Sequence, residues 1–349
     1  MTGVFYQMRA SRFVSAAASL AAASLFVAAL SACGGGGATG TSPIPNSPTG
    51  NTPNSVPARS INPQGESITD GDRAAAGSAT NLKTHIMLPA TSKTKTAQAI
   101  IYPADLMYRG GPVLPTAKIL NIYVNAKPSD FGSPSTFEHN LGASNMIHIT
   151  DQYVNSRANS RYGPDSPSDL VALYPTYTTL ADNDLLAILH HFAAFFGGGY
   201  GTIYNVFLPK GTDFCETGTT ACNASQTSPS PTFCAFHGSI TYGDVGHVLF
   251  TLQPYQDPSY CGVNAITGVA TTPNGVLNDS TYSTLSHELF ETITDPDPPS
   301  GWYTGNVGVS GEIGDLCAYL SAPVSLNGHA YYIQTEYANS RHACSNESR

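Results

Sequence analysis

The residues with the clearest chemical potential lie in one short segment, residues 283–296, which contains His287, Glu288 and Glu291. On an α-helix, residues four apart share one face, so the side chains of His287 and Glu291 can reach one metal ion. Glu288 is turned by about 100° from His287 around the helix axis. The spacing resembles the H-E-x-x-H helix of zinc peptidases, whose glutamate is the general base, with Glu291 in the place of the second histidine. The segment therefore predicts a metal site, and the competing interpretation is a surface helix whose acids face solvent.

A downstream segment offers the missing ligand. A catalytic zinc site usually has three protein ligands and a water, and residues 311–317 bring two acids, Glu312 and Asp315. We predict that one of these two completes the site, and Asp297 ranks below them because no glycine turn precedes it. His237 is another candidate for the third ligand or for the substrate side. Tyr303 or His237 could also stabilise a developing oxyanion.

The helix that presents these groups has recognisable ends. Asp279 or Ser280 can cap its start, and Pro296 stops it. An apolar stripe along one side predicts that this side packs against a core. The stripe comprises Leu285, Leu289 and Ile293.

The rest of the chain alternates apolar runs of strand and helix length. The pattern predicts strands at 117–124, 146–150, 202–208 and 248–252, and helices at 137–141 and 184–196. Alternating elements followed by a ligand-bearing helix favour an α+β (or α/β) domain of zincin type, with a mixed sheet. Frequent glycine and proline predict a loop-rich body, which we place at residues 70–349.

The first residues predict export rather than folding. Arg9 and Arg12 precede an apolar, alanine-rich run over residues 13–30, and the run ends in Leu-Ser-Ala-Cys at Cys33. This ending resembles a bacterial lipobox and predicts lipid on Cys33, anchoring the protein at the cell envelope. An ordinary cleaved signal peptide or a buried helix are the alternatives. Residues 34–69, rich in Gly, Thr, Ser and Pro, predict a disordered tether.

Six cysteines remain after Cys33: Cys215, Cys222, Cys234, Cys261, Cys317 and Cys344. An even number in an exported chain indicates disulfides, for which six cysteines allow about fifteen connectivities. We predict the sequential pairing, whereas a cysteine-only zinc site is poorly matched by these spacings. A bridge at Cys317 would hold Glu312 and Asp315 in place before a metal binds.

Several segments together resemble the phosphate-induced protein 1 (EXORDIUM-like) family and its secreted bacterial relatives. They are Phe-Cys at 214–215, Cys-Ala-Phe-His at 234–237, the helix motif at 287–296, Gly-Trp-Tyr at 301–303 and Glu-Ile-Gly-Asp-Leu-Cys at 312–317. The resemblance runs from about residue 85 to 349. Plant members are cell-wall proteins linked to growth responses, and no settled activity comes with the family name. Some members lack the His-Glu pair, so the resemblance implies the fold more than the chemistry; this chain keeps His287, Glu288 and Glu291.

These observations favour a lipid-anchored zinc-dependent hydrolase, most simply a peptidase, acting on peptide or a cell-envelope polymer. Because Glu291 replaces an imidazole, the donor set also suits another divalent ion. A net charge of −9 and the absence of a basic stripe argue against nucleic acid as a partner. The alternative is a non-catalytic surface module with a structural metal or none. In either case we expect a monomer.

Overall fold

The computed structural model describes residues 61–90, 105–175, 178–217, 222–223, 231–256, 260–304 and 311–348. The predicted signal peptide, Cys33 and the tether up to residue 60 lie outside the described residues. Within these ranges, no helix has both the length and the apolar character needed to cross a bilayer.

The domain is a mixed α+β structure. Its helices are α1 (Asp70–Ser78), α2 (Pro134–Gly142), α3 (Asp151–Val154), α4 (Asp182–Phe196), α5 (Asn264–Thr267) and α6 (Val276–Thr294). Its first strands are β1 (Glu66–Ser67), β2 (Thr80–Met87), β3 (Met107–Tyr108), β4 (Ala117–Val124), β5 (Tyr162–Leu173), β6 (Thr179–Leu180), β7 (Thr202–Phe207) and β8 (Asp213–Phe214). The later strands are β9 (Cys222–Asn223), β10 (Pro231–Phe233), β11 (Ala235–Tyr242), β12 (Gly246–Gln253), β13 (Trp302–Tyr303), β14 (Ser321–Leu326), β15 (His329–Gln334), β16 (Glu336–Ala338) and β17 (Ala343–Ser345).

A seven-stranded mixed sheet forms the centre, in the order β1-β5-β4-β7-β12-β11-β2. The first five strands in this order, β1, β5, β4, β7 and β12, run parallel to one another. Strand β11 is antiparallel to both β12 and β2. Alternate residues of β4 enter two different cores: Ile119 and Tyr123 pack on the side of α6, and Leu120 and Ile122 on the side of α4. Because helices cover both faces, the central strands are buried apolar runs.

Helix α6 is buried around almost its whole circumference, including its polar residues. Its buried hydroxyl groups donate to carbonyl oxygens four residues earlier, as Thr284 does to Ser280, Thr292 to Glu288 and Thr294 to Phe290. These bonds satisfy polar groups that would otherwise be costly to bury. The interpretation of this segment as a solvated surface helix is therefore wrong.

The structure corrects three details of the sequence prediction. Residues 146–150 form a 3₁₀-helix rather than a strand, because a five-residue apolar run carries no decisive period. Helix α6 begins at Val276, with Gly275 at its N-cap, and not at the predicted caps Asp279 or Ser280. Residues 66–67, predicted as part of the tether, pair with β5 in the sheet.

The sequential disulfide pairing is confirmed. The bonded pairs are Cys215–Cys222, Cys234–Cys261 and Cys317–Cys344. The last pair ties the segment that follows Glu312 and Asp315 to strand β17.

Candidate metal centre

A row of polar side chains crosses the sheet on the face that α6 covers. Strand register places Asn121 beside Asn205, Asn205 beside Thr251, Thr251 beside His237, and His237 beside His85. Residues paired in register point to the same face of a sheet, so this row interrupts the apolar core along one line. The row ends at His85 on β2, the edge strand, and this end forms the floor of the candidate site.

The two histidines of the floor lie side by side. Their ring centroids are 5.7 Å apart with an edge-to-face arrangement. His237 is fully buried, and neither ring nitrogen forms a hydrogen bond in the described part of the chain. Burial, followed by the charges of His85 and His287, lowers the pKa of His237 well below its usual value. A neutral, buried imidazole with a free lone pair is well suited to bind a metal.

Helix α6 supplies the opposite wall. His287, Glu288 and Glu291 are completely buried, and both carboxylate oxygens of Glu288 and one of Glu291 lack hydrogen bonds to the described residues. The His287 Nε2 atom lies 3.1 Å from Glu291 Oε1, as expected for residues four apart on a helix.

The segment 311–317 closes the site between wall and floor. Asp315 Oδ2 lies 2.7 Å from His85 Nε2, and Glu312 Oε1 lies 3.2 Å from His85 Nδ1. Glu312 Oε2 is 3.5 Å from His237 Nε2, so this carboxylate contacts both floor histidines. The backbone N–H of Asp315 donates to Glu291 Oε1 at 3.1 Å, which joins the segment to α6.

The close approach of this segment requires a glycine. A Cβ atom on Gly314 would lie 2.6 Å from His287 Nδ1, inside any normal contact distance. On the same edge of the ring, Gln334 Nε2 lies 3.0 Å from His287 Nδ1 and donates to Gly314 O at 2.9 Å. The imidazole is therefore fixed by the loop and by strand β15.

The cluster carries a large excess of buried acid. Burial, with the neighbouring Glu291 and Asp315 charges, raises the pKa of both Glu288 and Glu312 well above the usual range. For His85, burial opposes the charged form, but Asp315 prevails and raises its pKa to about 9. Two further buried acids interact electrostatically with the cluster, Asp295 with Glu312 and Glu336 with Glu288.

The donors fit a divalent cation. Three overlapping sets each bring three ligand atoms within 4.8 Å of one another, and every set contains Glu291. The sets are His85-Glu291-Asp315, His237-Glu291-Glu312 and His287-Glu288-Glu291. A buried carboxylate without a hydrogen bond costs several kcal/mol unless it is neutralised, and a cation with oxygen and nitrogen ligands would neutralise it.

The structure thus brings together six residues singled out from the sequence: His237, His287, Glu288, Glu291, Glu312 and Asp315. Tyr303 lies apart from their contacts, with its ring under the Arg109 guanidinium at 4.7 Å, and among the described residues its hydroxyl forms no hydrogen bond with the cluster. Asp297 pairs instead with His247 and Tyr200.

Sequence reasoning missed two important residues. His85 is separated from Asp315 by 230 positions, and Gln334 lies on a hairpin strand without a recognisable motif. The only local signal for His85 is its alternation with Met87, which marks the two as inward-facing neighbours near the end of β2.

No family model, no curated protein and no solved structure matches this chain.

Proposed function

We propose that this protein is a zincin-like hydrolase that depends on a divalent cation, with zinc as the first candidate. The observation that carries the proposal is the buried cluster described above, in which carboxylates of Glu288, Glu291 and Glu312 converge with imidazoles and five of their six oxygens accept no hydrogen bond from the described residues. Such an arrangement is costly for an apolar core and ordinary for a metal centre.

The residues divide into two roles. Glu291, Glu312 and Asp315, together with histidines, would hold the cation, which when bound polarises a carbonyl group and lowers the pKa of a coordinated water. Glu288 would accept the proton of the attacking water as general base.

The position of the cluster at the sheet edge favours an extended peptide as substrate. His85 lies on β2, and among the described strands β2 has a neighbour on one side only. The free side of an edge strand can pair with an extended peptide through main-chain hydrogen bonds. A peptide bound there would pass the least buried members of the cluster, His85 and Asp315.

The N-terminal residues support a place at the bacterial cell envelope. Lipid on Cys33 and a polar segment after it would hold the domain near a membrane without a spanning helix. The likeness of residues 85–349 to the phosphate-induced protein 1 family remains part of this proposal and agrees with an extracytoplasmic location.

The test uses the purified full-length chain. We expect bound zinc or another divalent metal by elemental analysis and cleavage of members of a broad peptide library. Glu288→Gln should keep the metal and lose at least about 100-fold in turnover, since general bases contribute roughly 10²–10⁴-fold. Glu347→Gln, which changes an exposed acid, is the control. A metal-free protein, or a Glu288→Gln variant that cleaves as fast as the parent, would refute the proposal.

Complete burial of His287, Glu288 and Glu291 favours a second candidate, a binding module with a structural cation. In that case the metal is present, the Glu288→Gln variant binds it, and no library peptide is cleaved by either protein. Removal of the metal then changes only the stability and ligand capture.

A further inference from the structure

We infer that the cluster binds two divalent cations rather than one, held by the sheet histidines His85 and His237 and bridged by Glu291. One cation takes His85, Asp315 and Glu291, and the other takes His237, Glu312 and Glu291. The inference rests on the proposed function, because it concerns the same site. It adds a second cation and names the histidines that bind the two.

The balance of charge favours more than one cation. The three donor sets contain four buried or nearly buried carboxylates, those of Glu288, Glu291, Glu312 and Asp315. A single divalent cation leaves two of these charges to be neutralised by bound protons, whereas two cations balance all four. Binuclear hydrolytic sites, with metals about 3.5–4 Å apart, commonly share a carboxylate of this kind.

Glu291 is placed to be that shared carboxylate. It belongs to all three donor sets. One of its oxygens, Oε2, has no hydrogen bond to any described residue, and the other accepts from the Asp315 N–H. Its Oε2 atom is therefore free to face both cations, since Oε1 lies against the Asp315 N–H and His287 Nε2.

The helix histidine is the weaker ligand because of Gln334. Tyr319 N–H donates to Gln334 Oε1 at 3.1 Å, which fixes the orientation of the amide. Gln334 Nε2 then presents N–H groups both to Gly314 O and to His287 Nδ1. His287 Nδ1 must act as an acceptor, so a neutral His287 carries its proton on Nε2, facing Glu291. That proton occupies the lone pair that a metal would need, on the atom that lies 3.1 Å from Glu291 Oε1.

The sheet histidines have the opposite arrangement. His85 Nε2 lies 2.7 Å from Asp315 and its Nδ1 lies 3.2 Å from Glu312. A metal on one nitrogen would therefore leave the other facing a carboxylate, as is usual for metal-bound histidines. His237 has neither nitrogen engaged in a hydrogen bond within the described chain. Register pairing sets the two rings side by side, with Glu312 in contact with both.

The decisive measurement is the metal content of the full-length protein after chelation, reloading with Zn²⁺ or Mn²⁺, and removal of excess metal. We expect about two cations per chain, from the two donor sets. The Mn²⁺ form should give the electron paramagnetic resonance spectrum of an exchange-coupled pair, with narrowed hyperfine spacing. An isolated Mn²⁺ spectrum at one ion per chain overturns the inference while leaving the proposed function intact. No bound metal overturns both.

Variants then assign the ligands. His85→Ala and His237→Ala should each fall from two cations to one and lose the coupled spectrum, and Glu291→Gln should lose the coupling. His287→Gln should retain two cations with reduced affinity, and exposed His329→Ala should match the parent. Circular dichroism identifies any variant that does not fold, and the parent spectrum alone still decides the number of cations. Loss of a cation in His287→Gln, with both retained in His85→Ala, would overturn the assignment.

Discussion

Gly314→Ala tests whether the loop and the helix histidine are built as one unit. Gly314 has φ −75° and ψ −42°, a helical conformation that alanine adopts readily. The substitution therefore adds no backbone strain, and its whole effect comes from the new methyl group. That carbon would lie 2.6, 2.8 and 2.9 Å from the Nδ1, Cγ and Cε1 atoms of His287.

The size of the effect follows from these distances. Carbon atoms pack best at about 3.5–4.0 Å, so the ring and the loop must separate by about 1 Å. His287 is fully buried and cannot rotate into solvent. Overpacking of this kind costs about 1–3 kcal/mol. Because His287 lies against Glu291, metal affinity should also fall about 10–100-fold, as is usual when an outer-shell partner is disturbed.

Two measurements separate these effects. Urea unfolding of the metal-free protein reports the packing cost, and competition with a chromogenic chelator reports the affinity for Zn²⁺. Gly201→Ala is the matched control, since no atom lies within 4 Å of its added Cβ, and its stability should stay within about 0.5 kcal/mol of the parent. If Gly314→Ala unfolds at the same urea concentration as this control and binds Zn²⁺ equally well, the coupling of loop and ring is wrong.

Three other predictions concern single features of the chain. The Cys317–Cys344 bridge joins residues 27 positions apart, and its removal should cost about 3.5 kcal/mol in free energy of unfolding from chain entropy. It should also weaken metal binding, because it frees the loop. Urea unfolding and chelator competition measure the two effects. Burial raises the pKa of Glu138 to about 8. Between about pH 4.5 and 8 the unfolded chain has therefore lost this proton while the native state still holds it. Over that range the free energy of unfolding of the parent should fall by about 1.4 kcal/mol per pH unit relative to Glu138→Gln. Cys33→Ser should release the protein from the membrane fraction and remove the mass of the lipid.

Each of the three has an internal control. The Cys215–Cys222 bridge joins residues 7 positions apart and involves no residue of the cluster. Its removal should cost about 2.4 kcal/mol in free energy of unfolding and leave metal binding unchanged. Equal loss of metal affinity in both variants would contradict the role of the loop. For Glu138 the test is how the difference in free energy of unfolding between the parent and Glu138→Gln changes with pH. The substitution itself adds a difference that does not depend on pH. A difference that stays constant with pH contradicts the raised pKa of Glu138. Unchanged membrane association of Cys33→Ser contradicts the lipid anchor.

The helix half of the candidate centre could be read from the sequence because its information is local. Residues four apart share a helix face whatever the fold, so His287 and Glu291 needed only a helix to meet. Glu312 and Asp315 could be predicted as ligands for a similar reason. They lie a short distance after the helix in sequence, and the bridge at Cys317 restricts the positions that their loop can take.

The sheet half could not be predicted in this way. His85 reaches the cluster only because β2 pairs with β11, and this pairing depends on strand order and register across the whole sheet. Short apolar segments raise the same difficulty, as residues 146–150 show by forming a 3₁₀-helix. The periods that separate helix from strand need more residues than these segments contain.

The two halves of the cluster are held by different kinds of contact. In the polar row, Asn121 and Asn205 both donate to Glu138 at 3.0 Å, and Thr251 donates to Asn205 at 2.8 Å. The next two positions of the row are His237 and His85. Their backbone is held by the hydrogen bonds that pair β11 with β12 on one side and with β2 on the other. The acids instead come from α6 and from a loop held by one disulfide. The imidazoles and the carboxylates are thus both held by the surrounding structure before a cation binds, which is the arrangement that a preorganised metal centre requires.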